Sequence, residues 1–264
     1  MADKPMAVQH YIRNPSIQGQ FEKLLKNRAS QFTTSLLSVV NSNEKLAECT
    51  PETVVSAALT AASLDLPINQ NLGFAYIVPY NNKKKDENGK DYWVQEAQFQ
   101  MGYKGFIQLA QRSGQYKTIS STPVYEGQLI SIDPLRGIVW DWSVEAKGDP
   151  IGYAAYFELL NGFEKTLYMT KQEMSNHGKK FSQTFKKGFG LWVDDFESMA
   201  LKTVIKLLIS KFGPLSTELQ QALQFDQSVV KDDDIVYIDN DQLDSEKATD
   251  EEKQEILEAH AHTS

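Results

Sequence analysis

Residues 98–117 (Gln-Phe-Gln-Met-Gly-Tyr-Lys-Gly-Phe-Ile-Gln-Leu-Ala-Gln-Arg-Ser-Gly-Gln-Tyr-Lys) hold three bases, Lys104, Arg112 and Lys117, with four aromatics, interleaved glycines and no acid. Lysine and arginine neutralise phosphate, aromatic faces stack on bases, and glycines let a backbone approach a ligand closely. An enzyme acting on a small metabolite would set a carboxylate or an imidazole among such groups, and this stretch has neither. The mixture suits single-stranded nucleic acid. On a helix opened by Gly102, residues Tyr103, Lys104 and Gly105 fall in the first turn, where free backbone N–H groups favour phosphate. Phe106, Ile107, Leu109 and Ala110 supply the buried side of that helix.

Further along the chain, Lys202 and Lys206 stand four apart and share one helix face. Like charges at that spacing destabilise a helix by roughly 0.2–0.5 kcal/mol, so an anionic partner is expected. With Lys104 and Arg112 they lack enough acids nearby in sequence and are assigned to phosphate. Residues 178–189 pair Lys179 with Lys180 and Lys186 with Lys187, alternating with Phe181, Phe185 and Phe189, as expected of a flexible basic loop closing over a strand. Trp192 reads as a core anchor or a stacking platform, and Lys83-Lys84-Lys85 as a solvated hairpin tip.

Enzymatic constellations are weak. The sequence has no Gly-x4-Gly-Lys-Ser/Thr loop, and Gly188-Phe189-Gly190 is too incomplete for a dinucleotide fingerprint. His10, His177, His260 and His262 lack metal-ligand spacing, and the single cysteine, Cys49, offers neither a disulfide nor a thiolate cluster. Asp194, Asp195 and Glu197 could begin a nuclease metal site, but acids are favoured in the first turn of any helix. Neither catalysis, cofactor nor metal is expected.

The chain has 264 residues, 41% hydrophobic and 23% charged, and a formal net charge of −8. That charge is unevenly divided. Residues 226–264 carry 13 acids and 3 bases, a net −10, whereas residues 1–225 are +2 and residues 165–211 alone are +5. A modestly basic body with an acidic tail fits a polyanion-binding core and a separate interaction segment. With neither a signal-like N-terminus nor a long apolar run, a soluble cytoplasmic protein is expected.

These residues need a scaffold. Periodicity predicts a flexible lead-in over 1–14 and a helix from Ile17 to near Asn41, then another from Thr50, as N-cap, to before Pro67. Strands are expected over 73–80 and 92–101 about a polar loop, then a helix from Gly102 to Gly114. Further strands are expected near 116–126, 136–143, 151–160 and 164–169, a capping box at Thr170–Glu173, a long helix from Trp192 to Lys211 and a short one to Phe225. The fold class is α+β, an antiparallel sheet with packed helices. The division is 1–14, a DNA-binding domain over 15–225, and a disordered tail over 226–264. Within that tail Ile235–Ile238 reads as a linear motif and Glu251–Ala259 as a short exposed helix. The alanine-rich face at 57–62 and the apolar stripe of 17–40 offer more apolar helical surface than a small sheet covers, and part of it is expected to pack against a neighbouring subunit.

Gln100–Gly114 resembles the signature of the RecT family of phage recombinases. Ala61–Asn69 followed by Ala75–Tyr80 is similar to that family's next block, and Gly190-Leu191-Trp192, Met199 and Lys202–Ile205 resemble its third, in the same order. Gly-Leu-Trp stands where the family usually has Gly-Pro-Trp. The resemblance implies a β-β-β-α annealing core like that of the Rad52 group. It also implies ATP-independent pairing of complementary DNA strands, with single-stranded DNA and an annealed duplex intermediate as ligands. Assembly into rings or helical filaments would follow, with a phage exonuclease as partner. The acidic tail would dock that exonuclease or a host single-strand-binding protein. A non-annealing single-strand-binding accessory protein is the alternative.

Overall fold

A computed structural model describes residues 7–85, 89–226, 228–231 and 234–237. The N-terminal layer is helical: α1 (Val8–Ile12), α2 (Pro15–Leu25), α3 (Ala29–Asn41), α4 (Glu44–Ala47) and α5 (Pro51–Ser63). The single helix expected from Ile17 to Asn41 is two. Lys26 turns into positive φ (50°), the chain makes one 3₁₀ turn, and α3 folds back so that Phe21 and Phe32 pack at 5.5 Å between ring centres. The break lets Ile17, Phe21 and Leu25 of α2 face the same core as Ala29, Leu36 and Val40 of α3.

Helix α5 begins where Thr50 and Pro51 predict, but the Thr50 side chain does not cap it. Its hydroxyl instead lies 2.9 Å from that of Thr53, and its N–H donates to the Gln95 carbonyl (2.9 Å). Ala57, Ala58, Ala61 and Ala62 are buried within this chain, so this half of the surface expected to meet a neighbouring subunit is already covered, whereas Leu24 in the 17–40 stripe is exposed.

Strands β1 (Ala75–Lys85) and β2 (Asp91–Met101) pair antiparallel, from Ala75 opposite Met101 to Lys85 opposite Asp91. They run further than expected because the lysines are not a loose tip. Lys83 reaches Asp91 (2.5 Å), and Lys84 with Asn82 engages Glu96, a buried carboxylate (2.6 and 2.7 Å). After β2 come α6 (Tyr103–Arg112), β3 (Tyr116–Val124), and a hairpin of β4 (Leu129–Asp133) and β5 (Gly137–Trp140) whose first strand the sequence did not announce. Then follow β6 (Gly152–Leu159), β7 (Glu164–Thr170), α7 (Lys171–Phe181), α8 (Gln183–Lys186), α9 (Leu191–Asp194), α10 (Phe196–Phe212) and α11 (Thr217–Phe225). Two last strands, β8 (Ser228–Lys231) and β9 (Asp234–Tyr237), extend the first sheet in the order β1-β2-β8-β9.

The second sheet is antiparallel, β3-β6-β7, and α10 lies on all three strands and on α6. Three antiparallel strands under one long helix is the β-β-β-α arrangement the sequence resemblance implies, within an α+β fold. The expected long helix from Trp192 is interrupted at Asp195, whose carboxylate accepts from the Ser198 N–H (3.2 Å) and so starts α10 anew. The capping box at Thr170 and Glu173 is formed in full. One contiguous apolar core joins both layers from Val8 to Ala222. Among the described residues no helix is long and apolar enough to cross a membrane.

Candidate nucleic-acid interface

The first turn of α6 is fixed by contact between backbones. The Gly102 N–H donates to the Phe74 carbonyl (3.0 Å). A Cβ on Gly102 would collide with the Gly73 carbonyl, and one on Gly105 with that of Phe74. Gly105, a candidate DNA contact, is buried, so its role is to let α6 sit on the 73–74 segment. Lys104 projects from the same turn into solvent, its stem near Gly73, where the Tyr76 hydroxyl also lies. Beside this turn is a cavity of about 280 Å³ between β1, the end of β2, α6 and the α9–α10 junction, with Tyr76, Gln100, Tyr103, Ser198 and Lys202 in its lining. Burial first, then the negative charge of Asp195 and the neighbouring Tyr103, push the Tyr76 phenol above its ordinary range.

Lys202 and Lys206 do share a face of α10, but both point to Asp226. Its carboxylate accepts from the Lys202 ammonium (2.8 Å), the Lys206 ammonium (2.7 Å) and the Met101 N–H (2.9 Å). Burial pushes the Asp226 carboxyl up, yet the two ammonium groups outweigh it and bring the pKa down to about 2. Lys202 is 4% exposed, while the Lys206 side chain keeps 29% of its surface. Three charges with a net +1 thus weld α10, the end of β2 and the C-terminal segment together. The reasoning that left these lysines without acids fails because Asp226 lies 24 and 20 residues away in sequence.

The remaining candidates divide by partner. Arg112 donates to the carbonyls of Leu64 (2.6 Å) and Asp65 (3.2 Å), the end of α5, where cations are favoured. Lys117 pairs with Glu158 (2.7 Å). Trp192 is 6% exposed, stacked on Phe185 at 5.5 Å and edge-on to Phe196, which makes it a core anchor. Lys179, Lys180, Lys186 and Lys187 are exposed on α7, α8 and the turn after them, with Phe181 and Phe189 exposed beside them. Part of the expected loop is helical, since α7 runs to Phe181. Among the described residues these four lysines and Lys104 have no ion-pair partner.

A sequence model of the RecT family matches residues 30–256. The chain belongs to the RecT family. It is 49% identical over 213 residues to Uncharacterized protein YqaK of Bacillus subtilis (strain 168), covering 80% of this chain and 69% of that one. It is 29% identical over 222 residues to Protein RecT of Escherichia coli (strain K12), covering 82% of this chain and 79% of that protein.

In this RecT-family chain the signature over 100–114 builds a joint as much as a surface: two glycines and Arg112 dock α6, leaving Tyr103 and Lys104 at the cavity. Sequence reasoning gave no site role to Gln100, though it opens the signature, or to Ser198, which carries no motif; the two meet only through tertiary packing. It also missed the setting of His177. Burial first, then the positive charges of Lys206, Lys180 and Lys211, hold its pKa below the ordinary value. Among the described residues no three His, Cys, Asp or Glu side chains cluster as metal ligands, and Asp195 is engaged as the cap of α10. Asp226, counted with the acidic tail, is buried in the body, and Ile235–Tyr237, read as a linear motif, are strand residues of β9. Ile238 and the helix expected over 251–259 lie outside the described residues.

Proposed function

We propose that the protein binds single-stranded DNA, assembles on it and pairs it with a complementary strand without ATP, as a recombination protein of the single-strand annealing class. Membership of the RecT family carries this reading. Five exposed lysines without carboxylate partners among the described residues, Lys104, Lys179, Lys180, Lys186 and Lys187, support it, as do the aromatics Phe181 and Phe189 beside four of them. Annealing has a simple physical obstacle: two polyanions repel. Lysines that neutralise backbone phosphate lower that repulsion and leave base edges free to test complementarity. Assembly into a ring or helical filament makes many weak contacts act together. The body comprises residues 8–226 with the β8–β9 hairpin: the flexible lead-in expected over 1–14 gives way to α1, whose Val8 and Ile12 are buried in the core. The acidic segment beyond it serves as a docking site for a phage exonuclease or a host single-strand-binding protein in the bacterial cytoplasm.

The test is the pairing rate of two complementary oligonucleotides, followed by fluorescence transfer, with and without ATP. Acceleration independent of ATP is the expected result. Binding without acceleration would instead establish the accessory-protein alternative, and an absolute requirement for ATP would refute the mechanism.

A further inference from the structure

The cavity beside α6, at about 280 Å³, far exceeds a water's share of about 30 Å³ and lies just below the ~300–1,000 Å³ of small-molecule sites. It suits one ring system. Its lining includes two charged side chains, Asp195 and Lys202, of opposite sign, and each is already engaged: Asp195 caps α10, and Lys202 is held by Asp226. Counting Asp195 at the wall against the net +1 of the Lys202–Lys206–Asp226 cluster, a phosphate placed inside would meet no net positive charge. A neutral heteroaromatic ring would meet the side chains of Tyr76, Tyr103 and Met199; the Asn43 oxygen caps α4 and the Gln100 NH2 donates to the Tyr80 hydroxyl, which leaves the Asn43 NH2 as donor and the Gln100 oxygen as acceptor for the ring's edge. Lys104 extends from the turn that bears Tyr103, its stem close to Gly73 near the Tyr76 hydroxyl, so its ammonium is available to a charge just outside the ring's position.

We propose that this cavity receives a single unstacked nucleobase of the bound strand, with the adjoining phosphate neutralised by Lys104. The proposal rests on the reading that the protein binds single-stranded DNA. It adds that binding reads the presence of a base and not only phosphate, and that each subunit draws one base out of the stack.

The experiment compares an oligothymidylate, an abasic oligomer of equal length, and an oligothymidylate carrying one 2-aminopurine, on the full chain. Wild type should bind the oligothymidylate tighter than the abasic strand by about 5- to 150-fold, the range of one base–aromatic contact. The 2-aminopurine emission should change on binding. Ser198→Trp on α10 and Gln70→Trp on the 3₁₀ turn before β1 fill the cavity from two different elements, at half-buried and exposed positions, and should shrink that ratio and the emission change together. Far-UV circular dichroism monitors the fold. Emission equal to that of free DNA at every labelled position of a strand bound to wild type overturns the cavity, whatever the variants do. So does a ratio untouched in either folded variant. If wild type binds neither oligomer at low salt, the DNA-binding reading fails and takes the proposal with it.

Discussion

Asp226→Asn should weaken the fold in a way that depends on pH. In the folded protein the Asp226 carboxyl titrates near 2, against the ordinary 3.8, because the Lys202 and Lys206 ammonium groups overcome its burial. At ~1.36 kcal/mol per unit this difference is worth about 2 kcal/mol. A depressed carboxyl stabilises the fold fully above its unfolded pKa and loses that stabilisation as pH falls through the folded one. The window is therefore from about pH 4 down to about 2. Asn removes the charge but keeps an acceptor, so the expected loss at pH 7 is about 2 kcal/mol. Asp226→Ala leaves Lys202 buried without its counter-charge and should cost about 3–5 kcal/mol. Replacing the inner pair by apolar groups, Lys202→Met with Asp226→Leu, should recover much of that loss, since Lys206 can turn its ammonium to water. Urea unfolding followed by circular dichroism between pH 7 and pH 2.5 measures all three. A gap between wild type and Asp226→Asn that stays constant across this range, or is absent at pH 7, would refute the reasoning.

Other outcomes follow from the same geometry. Lys104→Ala should weaken single-stranded DNA binding on every sequence and lower the slope of log affinity against log salt by about 0.7, read by anisotropy. A fourfold change of Lys179, Lys180, Lys186 and Lys187 to alanine should lower that slope by up to about 3 without altering the circular dichroism; an unchanged slope removes the α7–α8 segment from the interface. Gly105→Ala forces a Cβ into the Phe74 backbone and should cost about 1–3 kcal/mol, whereas Gly19→Ala, in open space on α2, should gain about 0.5–1 kcal/mol, both read as shifts in thermal midpoint. Removing residues 238–264 should leave annealing of purified oligonucleotides unchanged or stronger, while ending the chain at Phe225 should resemble Asp226→Ala; a folded 238–264 truncation unable to anneal would place the acidic segment in the active machinery.

What the sequence disclosed was mostly local. Gly102 and Ser113-Gly114 bracket α6, Thr170 and Glu173 form their capping box, and Lys202 and Lys206 share a helical face, because each signal is complete within one or two turns of chain. The failures came where a partner is far away. Arg112 meets Leu64 across 48 residues, and a reader of residues 98–117 alone sees only an unpaired cation. The lysines at 83–85 resemble a loop until the cross-strand acids Asp91 and Glu96 are set opposite them. Lys26 breaks the N-terminal helix at positive φ without a glycine to announce it. Asp195 splits the helix expected from Trp192 because a carboxylate serves equally as first-turn acid and as cap. The cavity was illegible for a related reason: its amides come from α4's N-cap at Asn43 and from the end of strand β2 at Gln100, neighbours only after both layers have closed.

The placement of Asp226 also sets an order of events during synthesis. Lys202 and Asp226 are separated by 24 residues, with Asp226 emerging second. At about 5–20 residues per second, α10 exists for roughly 1–5 s with an ammonium that the core cannot accept. The N-terminal helices and the β1–β2 hairpin contain their own ion pairs and can settle as they appear. The joint between α10 and the end of β2 cannot be completed until Asp226, more than two hundred positions into the chain, arrives. The body is thus sealed from its C-terminal end, and a nascent chain stalled inside α11 is the form most exposed to aggregation.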